Sequence, residues 1–307
     1  MANIVFNRTN ELKQLEPGLN AIFGDTYNGY EMEHAELFQS ETSDRAYEED
    51  VLMTGFAGAP DKEEGEAVTY DSATEGWLAR YNHVTVALAF AMTEEAMEDN
   101  LYERMSVRLT RSLATAMAHT KQVKGANIFN QGFNTDGLHN GGDGVPLFSA
   151  SHPLINGNTF SNTAAVDLSE DALEDAFIAI EGWTNDRGIP MAFQARKLAI
   201  PRNLVFVANR LINPRAVERP GTAERDINAI VALGMLPEGY CVNHRFTDPD
   251  AWFLLTDCPD GLKHFTRVGV QTGFEGDFET GNVRYKSRER YSFGWSNPRG
   301  AYGSSGN

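Results

Sequence analysis

From Val84 to Lys124 the chain carries no glycine or proline, yet it changes periodicity partway along. Val84, Val86, Leu88, Phe90 and Met92 alternate with Thr85, Ala87, Ala89 and Ala91, which is the period-two signature of a half-buried strand. From Thr93 onward the repeat lengthens, and Met97, Leu101, Met105, Leu109, Leu113 and Met117 return every fourth residue. Thr93 is suited to cap a helix, and Glu94 and Glu95 suit its positive end. The pattern predicts a helix near 93–124, roughly 45 Å long at about 1.5 Å per residue. An unbroken four-residue row drifts around a helix, whereas a coiled coil needs a 3.5-residue repeat, so this element is expected to lie along a twisted surface. Helices and strands mix without βαβ regularity, which argues for an α+β fold and against Rossmann or TIM architectures.

The flanks of this element are irregular. Residues 1–55 intersperse short apolar groups with acidic ones and show no sustained period, so they read as an extended arm with one or two short helices. Gly55, Gly58, Pro60, Gly65 and Gly76 punctuate the next segment around Asp61, Lys62, Glu63, Glu64 and Glu66, which predicts a protruding hairpin tip. Gly- and Asn-rich loops fill 125–165. Ser169 is placed to cap a helix that runs to near Gly188, and a short strand and a helix opening after Pro201 follow, with Leu204, Val207, Ala208 and Leu211 on one face. Strands dominate from about 224, and GSSGN reads as a loose tail.

Charge and motif content exclude most chemistry. Asp and Glu total 43 against 26 Lys and Arg, and the resulting net charge of −17 opposes general adhesion to nucleic acid or anionic membranes, so any basic patch must be local. The longest apolar run, Val86–Met92, is far short of the roughly 20 residues a membrane span needs. The opening MANIVFNRTN lacks the character of a signal peptide, which suggests a soluble protein that matures in a cytosol. Cys241 and Cys258 form no C-x-x-C pair and are expected to be small buried hydrophobes. The seven histidines form no H-E-x-x-H, and no phosphate-binding loop ending in Lys-Ser/Thr occurs. No catalytic residue, cofactor or metal is predicted.

Two stretches invite a sharper reading. In LFSASHPLING, Ser149, Ser151 and His152 suggest a nucleophile and base, but Pro153 holds His152 in extended geometry, where neighbouring side chains point apart. Loop hydrogen bonding is the expected role. In NVRYKSRERYSFGW, Arg284, Lys286, Arg288 and Arg290 fall on one side of a strand, while Tyr285, Tyr291, Phe293 and Trp295 fall on the other. Base-stacking aromatics would share the charged face. Opposite faces predict an aromatic core side and a charged contact surface.

The order of arm, acidic hairpin, long strand, long helix and mixed domain ending in strands resembles the major capsid proteins of tailed bacteriophages with the Hong Kong 97 fold. The Mu-like major head subunit family is the particular likeness. It is carried by VALAFAMTEEAMEDNLYERM (86–105), DGVPLFSASHPL (143–154), LAIPRNLVFVANRLI leading to PGTAERDINAI (198–230), DAWFLLTDCPDGLKHFTR (250–267) and YKSRERYSFGWSNPRGAYG (285–303). The resemblance implies an N-terminal arm at 1–55, an E-loop at 56–84, a peripheral domain with its spine helix at 85–195 and 266–307, and an axial domain at 196–265. It implies hexamers and pentamers of an icosahedral shell in the virion, assembled in the host cytoplasm. Met1 leads straight into the arm, which suggests a separate scaffold protein or none, and the resemblance implies portal and possible decoration proteins as further partners. Packaged double-stranded DNA would be touched weakly and without sequence specificity, and no membrane is involved. Within such a shell, Asp61, Glu63, Glu64 and Glu66 of one subunit are expected to meet Arg284, Lys286, Arg288 and Arg290 of the next. Lys62 stands in the segment that bears the founding fold's cross-linking lysine, but no matching asparagine motif is found and that chemistry is not carried over. An encapsulin-like nanocompartment shell and a soluble hydrolase using Ser149 or Ser151 are the alternatives.

Overall fold

The computed structural model describes residues 8–93, 95, 102–213, 228–276 and 281–306. Two sheets form its frame. One has four strands in the order β1 (Gln39–Thr42), β11 (Leu262–Gly276), β12 (Val283–Trp295) and β4 (Val84–Met92). The other has five, in the order β7 (Thr163–Ala164), β13 (Ala301–Ser304), β10 (Trp252–Thr256), β8 (Ala195–Ile200) and β9 (Tyr240–Val242). Two small ribbons complete the β structure, β2 (Tyr47–Met53) with β3 (Glu75–Asn82), and β5 (His152–Pro153) with β6 (Thr159–Phe160). The mixture is α+β, as the sequence predicts.

The first correction concerns the arm. Residues Arg8–Asn28 form a helix, α1, which continues through Pro17. Leu19, Phe23 and Tyr27, spaced by four, are buried against Leu113, Ala114, Met117 and Ala118 of the long helix and against Tyr285 of β12. Local propensity at Pro17, Gly18 and Gly24 opposes a helix, and the apolar stripe overrides it once a partner surface exists.

The long helix, α2, spans Tyr102–Asn130, six residues past its predicted end. Its chain continues through Gly125 because the backbone there lies against the rest of the molecule: a β-carbon would sit 3.1 Å from His34 Cβ and 3.4 Å from the Phe293 ring. Glu94, Met97 and Leu101 lie outside the described residues. Farther along, Leu113 and Met117 are buried while Met105 is 48% exposed, so the four-residue row does drift off the contact face.

Three further expectations change. Strand β4 is an edge strand, and Val84 and Leu88 remain half exposed although Met92 is buried. The helix after Ser169, α3 (Glu170–Glu181), is capped as expected by Ser169 Oγ accepting from the Ala172 N–H at 3.2 Å, but it ends at Gly182 rather than near Gly188. GSSGN is no loose tail, because Gly303 and Ser304 belong to β13 and are buried between Trp252 and Phe253 of β10 on one side and Thr163 and Ala164 of β7 on the other.

Two cores share β10. Trp252 and Leu254 face a cluster with Leu173 and Ile180 of α3, Leu198 of β8, and Ala208 of α4 (Val205–Ile212), while Phe253 and Leu255 face Phe129, Phe148 and Leu262. Burial on both faces explains why this strand reads as a continuous apolar run. The first core also takes Ile230 from α5 (Ala229–Leu233). Residues 168–183 and 302 pack there with 195–258, so this core crosses the boundaries drawn at 195 and 266.

Candidate functional site

The β2–β3 ribbon departs from the body through a buried ionic knot. Lys263 of β11, 6% exposed, places Nζ 2.7 Å from Asp50 of β2, 2.8 Å from Asp260 and 3.7 Å from Glu41. Burial alone would lower the lysine pKa, but hydrogen bonds with Asp260 and Asp50 outweigh it and hold the value above that of a free lysine. Ser296 donates to the same Asp50 oxygen at 2.6 Å and lies 2.5 Å from the Tyr81 hydroxyl of β3. Tyr81 in turn meets the Phe265 ring edge-on at 4.8 Å. These contacts clamp the ribbon's inner face at its root.

Farther out, Thr54 and Thr74 close the ribbon, with the Thr54 N–H donating to Thr74 carbonyl oxygen at 2.9 Å and the Thr74 N–H to Thr54 Oγ1 at 2.8 Å. Arg187 reaches across to donate to the Ser72 carbonyl at 2.9 Å and stands 3.7 Å from Asp71. The Ala57 and Ser72 backbone N–H groups donate to Asp71 and keep its carboxyl below the usual range. Beyond these ties Asp61, Lys62, Glu63, Glu64 and Glu66 are all exposed, on a turn where Gly65 takes φ +85°. The ribbon's outward face carries Val51, Met53 and Leu78, with Phe56 beyond the strand, and all four are exposed.

Strand β12 alternates as predicted. Tyr285, Ser287, Glu289 and Tyr291 are buried toward the helices; Arg284, Lys286 and Arg288 are exposed, and Arg290 is half-buried. Register places Lys286 between Ala89 and Gly273, and Arg288 between Ala87 and Gln271. The cationic row thus stands above small or short neighbours. Arg288 donates to Gln271 Oε1 at 2.9 Å and Arg290 to the Ala46 carbonyl at 3.4 Å. Among the described residues no ion pair joins Lys286, Arg288 or Arg290 to the acidic loop of the same chain. The structure therefore presents both sets and does not bring them together within one subunit.

Sequence reasoning found the aromatic core side of this strand but missed the charge buried within it. Glu289, 2% exposed, lies 3.4 Å from Lys121 of α2, an ion pair that keys helix to sheet. It also missed two joints to the five-stranded body: Glu33 with Arg245 and with His244 at 2.8 Å, and Lys197 with Glu36 at 2.7 Å and Glu238 at 3.0 Å. Each links residues far apart in the chain, for which no local signal exists. The buried position of Glu33 would raise its pKa, yet hydrogen bonds from Arg245 and His244 hold it below the ordinary carboxylate value.

The Ser/His stretch is a structural joint. His152 is fully buried, with Nδ1 2.6 Å from Asp143 Oδ2, Nε2 3.0 Å from Asn162 Oδ1, and its ring stacked on Phe160. Asn162 Nδ2 donates to the carbonyls of Leu147, Pro298 and Ala301, tying this loop to the C-terminal strand. Ser149 Oγ accepts from the Ser151 N–H at 3.2 Å, and neither hydroxyl engages the imidazole. Cys258 is buried and Cys241 half-buried, and burial pushes both thiols up to about 12, so neither is a ready nucleophile. Among the described residues no group of three or more His, Cys, Asp or Glu could hold a metal, and no helix is long and apolar enough to cross a membrane.

Comparison with known proteins gives this geometry its context. No curated protein sequence matches. Among solved structures, the virus-like particle from Pyrococcus furiosus aligns with a TM-score of 0.57 at 11% identity, covering 93% of this chain and 97% of that one. The capsid of an empty GTA particle aligns at 0.56 and 11%, covering 89% of each chain. The capsid of cyanophage P-SCSP1u aligns at 0.54 and 12%, covering 87% of this chain and 86% of that one. At these identities the likeness is one of fold, the Hong Kong 97-type capsid fold. The family model described as phage capsid protein matches residues 79–304, from the inner strand of the ribbon through β12 to the last residue of β13, and the chain is therefore a member of the phage capsid protein family, a major capsid protein of the virion.

Proposed function

We propose that the chain assembles into hexamers and pentamers that close as an icosahedral shell around double-stranded DNA, and that its role is structural rather than catalytic. The observation that carries this reading is the β2–β3 ribbon. Two strands alone are marginal in water, and this pair turns Val51, Met53 and Leu78 away from its own body. A neighbouring subunit supplies the missing surface. In this reading 1–55 is the arm, 56–84 the E-loop, 85–195 with 266–307 the peripheral domain, and 196–265 the axial domain. Asp61, Glu63, Glu64 and Glu66 of one subunit meet Arg284, Lys286, Arg288 and Arg290 of the next, with Lys62 at the same tip. Each exposed pair contributes about 0–1 kcal/mol, and complementarity sets register and encounter more than affinity. Scaffold, portal and decoration proteins act as separate partners, and assembly takes place in the host cytoplasm before the shell joins the virion. The family match favours the phage shell over a nanocompartment.

Native mass measurement and negative-stain imaging of the purified chain test this directly. Capsomers or multi-megadalton particles are expected. A stable monomer with measurable esterase or peptidase turnover would sink the reading.

A further inference from the structure

The β2–β3 ribbon is attached to the body at two places, and two arginines converge on them. One attachment is the link at 43–46 between β1 and β2; the other is His83, which stands between β3 and β4. Arg267 of β11 donates to the Ser43 carbonyl at 3.5 Å, and Arg290 of β12 donates to the Ala46 carbonyl at 3.4 Å. His83 is buried, with Nε2 2.9 Å from Ser43 Oγ and Nδ1 3.0 Å from Ser292 Oγ. Because Ser43 Oγ donates to the Glu48 carboxylate at 2.6 Å, it accepts from His83, and both ring nitrogens are engaged in the neutral imidazole.

The arginines are placed with care and left under-partnered. Strand register runs from Thr266 opposite Tyr291 to Val268 opposite Arg290, so Arg267 is an extra residue on β11. Such a bulge re-aims a side chain, here toward the link at 43–46. Each guanidinium carries five N–H donors, yet among the described residues each makes a single long hydrogen bond, and its Nε is buried without a partner. Neither has a carboxylate within ion-pair distance among the described residues. The imbalance is felt by His83, whose pKa is lowered by burial and by the charges of Arg290 and Arg267 against the opposing pull of Glu48. Buried, unpaired donors on charged groups are costly, and two of them at one joint point to an anion. Its shape follows from their placement. One planar carboxylate matches one guanidinium fork, whereas two forks held on different strands suit a tetrahedral oxyanion that accepts at several oxygens.

We propose that Arg267 and Arg290 bind a tetrahedral oxyanion of the phosphate class at the root of the ribbon, bridging β11 and β12 to the link at 43–46. Both side chains are half-buried, so the ion reaches them from solvent. Once bound, it ties both attachments of the ribbon to the four-stranded sheet and fixes the angle at which the ribbon leaves the body. The binding itself does not rest on the shell reading.

The test is calorimetric titration of inorganic phosphate into the purified full-length chain in a chloride buffer. Saturable binding of one phosphate per chain is expected, with sulfate competing. Arg267→Gln with Arg290→Gln should lower the affinity at least about tenfold, the worth of one charge-assisted hydrogen bond. Arg267→Lys with Arg290→Lys keeps the charge but loses the forks and should also weaken binding. Lys286→Gln with Arg288→Gln, farther along the same face, should leave it unchanged. Hydrogen exchange on the wild-type chain needs no variant to fold: phosphate, but not chloride at equal ionic strength, should slow exchange at 43–47 and 82–84. The proposal is overturned if phosphate does not bind, if protection appears elsewhere and not at these residues, or if the Lys286 and Arg288 variant loses as much affinity as the arginine variants. Acetate binding as tightly as phosphate also overturns it, and would assign the arginines to a carboxylate such as one from the acidic turn of a second copy. Capsomers and shells are scored separately by imaging, so failure of the shell reading is a distinct result.

Discussion

Strands β10 and β12 are both long-range organisers of this subunit, and they do it with opposite chemistry. All four residues Trp252, Phe253, Leu254 and Leu255 of β10 are buried, two against each core, and the strand has no face for anything outside the chain. Strand β12 is buried on one side only, and that side includes the polar Ser287 and Glu289 beside Tyr285 and Tyr291. Its other side carries the cationic row. The difference separates two tasks. β10 holds the subunit together through apolar area, which is non-directional and large. β12 fixes how the long helix sits on the sheet and leaves its outer face open to solvent, work that depends on directional and charged contacts of small net energy.

Four experiments would break or sharpen that contrast. The largest effect is expected in β10. Trp252→Ala removes a fully buried ring and its Nε1–H donation to the Val166 carbonyl at 3.0 Å, and should cost about 3–5 kcal/mol in chemical denaturation. A loss below about 1 kcal/mol would mean that the two cores do not depend on this strand.

Next comes the buried side of β12. Glu289→Gln leaves Lys121 without its counter-charge at a site where the lysine is only 12% exposed, and should destabilise by about 3 kcal/mol. Replacing both residues, Lys121→Met with Glu289→Leu, should recover most of that loss, because an apolar pair of similar size needs no desolvated charge. A double variant as unstable as the single one would show that the ion pair supplies stability rather than register.

Acid should separate the two strands again, since the buried histidines pack around β12. His34 and His264 lie edge to face at 5.0 Å, and His264 stacks on Phe293 at 4.4 Å. Burial, with Lys121 nearby, lowers His34 to about 4 and His264 to about 3. Both folded values lie below the unfolded value near 6.5, so the unfolded chain binds more protons between them. The stability these rings contribute is complete above about pH 6.5, and as pH falls toward about 4 it is lost at about 1.4 kcal/mol per pH unit for each ring. His264→Phe should flatten that slope by about half in urea titrations. A slope unchanged by this substitution would place the acid sensitivity elsewhere.

The smallest effect on the subunit is expected on the outer face of β12. Lys286→Glu with Arg288→Glu should shift the unfolding free energy by no more than about 1 kcal/mol. Assembly kinetics should change far more, and Glu63→Lys with Glu64→Lys in the same chain should partly restore them. Four-way light-scattering data showing no rescue beyond the separate defects would remove the acidic loop as the partner of this row.

The legible parts of the site share one property: their signals are local. The parity of Arg284, Lys286, Arg288 and Arg290 against Tyr285 and Tyr291 follows from the two-residue strand period, and the exposed acidic turn follows from its glycines and charges. The role of His152 was half legible. Pro153 and strand geometry turn its ring away from the serines, but the carboxylate of Asp143 and the Asn162 amide that engage it lie 9 and 10 residues away. The clamp at the ribbon's root was invisible, because Lys263 and Asp50 are separated by 213 positions and neither sits in a motif.

The sequence by itself therefore determined the α+β class, the strand-to-helix spine, the alternation of β12 and the family, since periodicity, capping residues and ordered local segments act over a few residues at a time. Tertiary structure alone decided that residues 8–28 are helical, that α2 runs on through Gly125 and that Gly303 and Ser304 belong to a buried strand. In each case the local preference is weak or contrary, and the deciding free energy comes from a surface brought up from elsewhere in the chain: α2 and β12 for the first helix, His34 and Phe293 for the glycine, β10 and β7 for the final strand.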